Sequence, residues 1–113
     1  MTSEHAAVVV MARSPAGGPA PKTRLADAVG READRRRLYA AFLRDTIDGC
    51  RSVTEAALRV AYTPEGGTAG LDALGVRRDE LLPQRGADLG ARERATFADL
   101  FAAGFDKVVM VGR

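Results

Sequence analysis

Between Arg13 and Leu25 the chain reads RSPAGGPAPKTRL, a run of small residues and prolines that closes on Lys22, Thr23 and Arg24. These residue types suit the binding of phosphate. Gly17 and Gly18 let main-chain N–H groups come close to an oxyanion. A helix opening at Thr23 turns its positive end toward the same place, and Arg13, Lys22 and Arg24 supply full charges. Two cations at a helix N-terminus oppose the dipole when no anion is present. Lys22 and Arg24 therefore read as ligand contacts rather than solvated charges, whereas Arg13 fits either description.

A Walker A loop is the obvious rival. It needs Gly-x-x-x-x-Gly-Lys-Ser/Thr, and Lys22-Thr23 would fill its last two places. Pro21 stands where the second Gly belongs and Ala16 where the first does. Proline has no N–H to offer a phosphate and cannot take positive φ, so the rival is set aside.

The elements that must hold this loop are legible in the apolar spacing. Residues 6–12 are a continuous, Val-rich run, the pattern of a strand covered on both faces. Residues 23–29 predict a short helix closed by Gly30, and 32–50 a longer one whose stripe is Leu38, Tyr39, Phe42, Leu43, Ile47 and Cys50. A strand is expected at 57–62, a short helix near 69–74, and a very short strand at 81–82. A helix at 90–103 has Phe97, Leu100 and Phe101 as its apolar side and Gly104 as its C-terminal cap. The last strand is 107–112. Strands alternating with helices predict a single α/β domain over 1–113, with a mostly parallel sheet and right-handed helical crossovers. In such sheets ligands sit beyond the carboxyl ends of the strands, which is where the 13–24 loop falls.

Composition narrows the partners. Seventeen Lys+Arg against fifteen Asp+Glu leave a net charge of +2, too slight to argue for nucleic acid or a membrane surface. No stretch approaches membrane-spanning length. The single Cys50 cannot form an internal disulfide and fits a reducing cytoplasm; its place on the apolar stripe makes it a small core residue. His5 has no second His or Cys with which to hold a metal. Asp45 is expected to pair with Arg44 or Arg51, and Arg92 to lie on the surface. Asp88 could contact a ribose, but an Asp just before a helix is more simply its N-cap.

Four blocks in order resemble a bacterial family of small glycosyltransferase-A-like transferases, in the nucleotide-diphospho-sugar transferase superfamily. They are Lys22-Thr23-Arg24-Leu25, then Leu38-Tyr39-Ala40-Ala41-Phe42-Leu43-Arg44-Asp45-Thr46. Gln84-Arg85-Gly86-Ala87-Asp88-Leu89-Gly90-Ala91-Arg92 and Val108-Val109-Met110-Val111-Gly112 follow. The resemblance implies the Rossmann-like nucleotide-binding half of a glycosyltransferase-A-like fold. It implies a nucleotide or nucleotide-sugar ligand, with Arg13, Gly17, Gly18, Lys22, Thr23 and Arg24 facing its phosphates. Gly86, Asp88 and Gly90 would approach the base or ribose. Lys22 and Arg24 would take the catalytic part, neutralising charge as a pyrophosphate group leaves.

The same resemblance marks departures. The loop opens on Arg13 where the family has Lys, and is one residue longer. Family members continue past the strand-terminal Gly with Ser-Asp-x-Pro, whose Asp is expected to hold a divalent metal such as Mg or Mn. Here Gly112 is followed by Arg113. The expectation is thus a truncated form of such a transferase, with little activity. A guanylyltransferase acting on a phosphorylated small acid has a similar opening loop, but the Gln84–Gly90 block argues against it. The other expectation is a non-catalytic nucleotide-binding module that associates with itself or a partner to cover an exposed sheet edge.

Overall fold

A computed structural model of the chain describes residues 6–15, 32–53, 55–65 and 67–111. Four strands, β1 (Ala6–Ala12), β2 (Ala56–Tyr62), β3 (Leu81–Pro83) and β4 (Lys107–Val111), pair in parallel in the order β3-β2-β1-β4. Helix α1 (Glu32–Arg51) precedes β2, and helix α2 (Leu89–Ala102) carries the chain from β3 past β2 and β1 to β4. The parallel α/β sheet with helical crossovers is therefore the fold of this chain. The helix expected at 23–29 lies outside the described residues.

The Val-rich β1 is central because it can be buried on both faces. Side chains alternate along a strand, and Val10 and Ala12 pack with Leu43 and Ile47 of α1, whereas Val9 and Met11 pack with Leu100 of α2. From Ala7 to Ala12 no residue is more than 8% exposed. Burial of each such Val, Leu or Ile stabilises the fold by roughly 1.5–3 kcal/mol. Cys50 packs against the α1-side cluster, and burial pushes its thiol pKa up, as for a structural cysteine.

Several local expectations change in three dimensions. The helix expected at 69–74 shrinks to a 3-10 turn, Asp72–Leu74, because Gly70 and Gly75 take positive φ (82° and 84°) on either side of it. A second 3-10 turn, Arg78–Glu80, precedes β3. Pro83 ends β3, where an outer strand tolerates a residue without an N–H. Leu38, Phe42 and Phe101 are exposed rather than core. The apolar stripes of α1 and α2 are wider than the strips they bury, so Phe42 lines a cleft of about 80 Å³ with Val10, Thr46 and Val111, and Phe101 stacks on Phe97. Arg51 pairs with Glu80, and Arg44 donates to the Ala73 carbonyl, instead of either pairing with Asp45. Gly104 ends α2 as expected: at φ 107° its N–H reaches the Phe101 carbonyl, while Phe105 N–H reaches Leu100 O.

Candidate functional site

The strand order places a topological switch point at β1. The chain builds outward through β2 and β3, then returns to pair β4 on the other side of β1. In parallel sheets that reversal opens a crevice beyond the carboxyl ends, because the loops on either side of it run to opposite faces. Arg13, Ser14 and Pro15 leave β1 at this rim. Of the residues expected to bind phosphate, Arg13 is described and exposed. Gly17, Gly18, Lys22, Thr23 and Arg24 lie outside the described residues.

The rim is knitted by long-range hydrogen bonds. Arg13 N–H donates to the Tyr39 hydroxyl at 3.0 Å, tying the exit of β1 to α1. Burial raises the Tyr39 pKa, and the bond and charge from Arg13 only partly offset this; the phenol stays neutral. Ser14, fully buried, donates from Oγ to the Ala69 carbonyl. Thr63 N–H reaches Ala12 O at 3.0 Å, and Gln84 N–H reaches Tyr62 O at 2.9 Å. The Gln84 side chain, 5% exposed, donates from Nε2 to Ala61 O at 2.7 Å and to Ala12 O at 3.3 Å. One amide thus caps the ends of β1 and β2. Gln84 opens the 84–92 sequence block, but nothing local could reveal carbonyls so far away in the chain.

The 84–92 segment supplies the other wall. Gly86 has φ 133°, and a Cβ there would lie 2.8 Å from Ala91 Cβ and 2.9 Å from Arg92 N. Glycine is required at this position by the packing of the loop on α2. Gly90 differs: a Cβ would meet Arg94 Nη1 at 3.4 Å, ordinary contact with a flexible side chain. Asp88 is the N-cap of α2, accepting the Ala91 N–H on Oδ1 at 2.8 Å. Asp88→Ala should therefore destabilise the chain by about 1 kcal/mol, a loss of roughly 4 °C or more in melting temperature. An unchanged melting curve would show that the cap contributes nothing.

Arg92, expected on the open surface, instead spans two loops. Its Nε donates to Gly86 O at 3.0 Å and its Nη2 to Glu65 Oε2 at 3.1 Å. Glu65's own backbone N–H, then Arg92, hold its carboxyl below the usual carboxylate range, and the Arg13 charge adds to them. Arg85 points away, forming a two-pronged pair with Asp99 that lowers the Asp99 pKa. Among the described residues no three His, Cys, Asp or Glu side chains converge as metal ligands. No helix among the described residues is long and apolar enough to cross a membrane.

Comparison with known proteins sets this geometry in a family. Residues 46–113, more than half the chain, match the model described as "Uncharacterized protein conserved in bacteria (DUF2064)". The chain belongs to the DUF2064 family. No curated protein matches it. This DUF2064 chain is similar to a solved structure from Desulfovibrio desulfuricans G20, a "putative nucleotide-diphospho-sugar transferase". The likeness covers 99% of the present chain at 27% identity, with a TM-score of 0.80. The DUF2064 chain spans 47% of that protein, about half its length. The resemblance read from the four sequence blocks and the solved neighbour agree on one superfamily and one transferase-like α/β fold.

Proposed function

We propose that this chain is the nucleotide-binding half of a nucleotide- or nucleotide-sugar-dependent transferase, glycosyl- or nucleotidyl-transferring. The observation that carries the proposal is the switch point at β1, where Arg13, Ser14 and Pro15 leave the carboxyl rim, in a fold matched to the solved neighbour at a TM-score of 0.80. Such a crevice binds a nucleotide with its phosphates against the first loop. Lys22 and Arg24 neutralise phosphate charge, with Arg13, Gly17, Gly18 and Thr23 completing the cradle. As the transferred group departs, negative charge builds on the pyrophosphate, and fixed cations stabilise that charge more than the ground state. Gly90, free of any packing demand, lets a base or ribose approach, and Gly86 and Asp88 shape the wall behind it. A divalent metal such as Mg or Mn would add to this charge neutralisation.

Calorimetric titration with nucleoside diphosphates and their sugar conjugates, with and without Mg²⁺, tests this. Binding that Mg²⁺ strengthens, with product formed, supports the transferase. Substituting Lys22 and Arg24 by Ala should weaken binding at least tenfold, or about 1.4 kcal/mol; unchanged affinity removes them from the site. A second reading, a non-catalytic nucleotide-binding or self-associating module, draws on Val109 of β4 (60% exposed) and Phe42 (55% exposed). Metal-independent binding without turnover, and a sedimenting dimer, would favour it.

A further inference from the structure

The clasp made by Arg92 has an asymmetry that the nucleotide reading does not use. The Arg92 side chain is 21% exposed and Glu65 54% exposed. Arg92 rises from the first turn of α2, whose start is pinned by the Asp88 cap, and its Nε is bonded to a main-chain carbonyl. The cation is therefore the held member of the pair and the carboxylate the loose one. An ion pair this exposed does little for folding, because water screens it and two long side chains lose freedom to make it.

We infer that Arg92 and Arg13 form an oxyanion subsite at the carboxyl rim, and that Glu65 is its internal counter-ion, displaced when a phosphate or pyrophosphate group binds. The inference rests on the rim being the nucleotide site. Gly86 O holds the guanidinium plane, so little freedom remains to be lost when the Nη edge changes partner. A phosphate offers more charge and more acceptor oxygens than a carboxylate, and guanidinium binds it through paired N–H donors. Arg13 starts the loop on the neighbouring strand end, its backbone fixed by Tyr39, and its charge already acts on Glu65. Glu65 thus pairs with a cation from the first turn of α2, while Arg13 leaves the end of β1, and the carboxylate takes the position a ligand anion would take.

Calorimetric titration with pyrophosphate at low salt, on the wild-type chain and on Glu65→Gln, Arg92→Gln and the double variant, is the test. Glu65→Gln should bind pyrophosphate roughly fivefold more tightly, the scale of removing one charge about 4 Å from another in water, with its melting temperature unchanged. Arg92→Gln should weaken binding and shrink the gain from Glu65→Gln. Arg92→Lys, which keeps the charge but not the fork, substitutes for it if Arg92→Gln fails to fold. Unchanged or weaker binding by Glu65→Gln overturns the inference, as does absence of pyrophosphate binding in both wild type and Glu65→Gln. A gain in Glu65→Gln alongside no nucleotide binding by wild type keeps the subsite and removes the nucleotide reading; nucleotide binding with no gain does the reverse.

Discussion

Replacing Gly86 by Ala should cost about 3 kcal/mol of stability, combining strain at positive φ with overpacking. Two features of the loop force this. At φ 133° a side chain is strained whatever space surrounds it, and the added methyl would sit 2.8–2.9 Å from Ala91 and the Arg92 backbone. The obstructing atoms belong to the first turn of α2, which cannot yield without disturbing the Asp88 cap. Arg92, bonded to the Gly86 carbonyl, should shift with it, so anion binding falls together with stability. Gly90→Ala is the control. Its methyl meets a flexible Arg94 terminus at 3.4 Å and Asp88 Oδ1 at 3.6 Å, neither a clash, and Ala is favoured over Gly in a helix by up to about 1 kcal/mol. Denaturant titration should find Gly86→Ala strongly destabilised and Gly90→Ala neutral or better. Equal stabilities would refute the steric account. A loss of nucleotide affinity in a stable Gly90→Ala chain would identify position 90 as the place where ligand comes close.

The second large effect lies away from the rim. Glu80 is 3% exposed and receives Arg51 Nη1 at 2.8 Å and Nη2 at 3.2 Å, with Arg77 N–H at 2.9 Å. Arg51 also reaches Gly75 O at 3.0 Å. One carboxylate therefore joins the end of α1 to the 3-10 turns that lead into β3. Burial alone would raise the Glu80 pKa, but the hydrogen bonds and charges of Arg51 and Arg77 outweigh it and hold the pKa below the usual carboxylate range. Removing one partner of a buried pair strands the other; because Arg51 is 36% exposed and can recover water, Glu80→Gln should cost about 2–3 kcal/mol, below the full buried-pair figure.

The pH dependence follows from the direction of that shift. A carboxyl whose folded-state pKa is depressed binds protons more readily when unfolded, so its contribution is present above the unfolded value, near 4.3, and fades as pH falls below it. Wild-type stability should therefore decline through this acid window, and Glu80→Gln should be less stable at pH 7 with a flatter acid decline. Parallel declines for the two chains would show that the carboxylate is not the group being titrated.

Some of this molecule was legible residue by residue because the determinants are local. The apolar runs of β1 and β4 specify strands by themselves, and Asp88 and Gly104 mark helix ends through bonds made within a few residues. The parallel α/β class followed from the alternation of elements, and the superfamily from four blocks in order. The side chains that build the rim are of another kind. Gln84 reaches carbonyls of β1 and β2, Arg92 reaches Glu65, and Arg51 reaches Glu80, each across loops whose approach depends on sheet order. Leu38 and Phe42 belong to an apolar stripe, yet stay exposed because α1 buries a narrower strip than its spacing offers. Periodicity reports which face of a helix is apolar; how much of that face is covered, and which distant charges meet at the carboxyl ends, depends on how the strands are ordered in space.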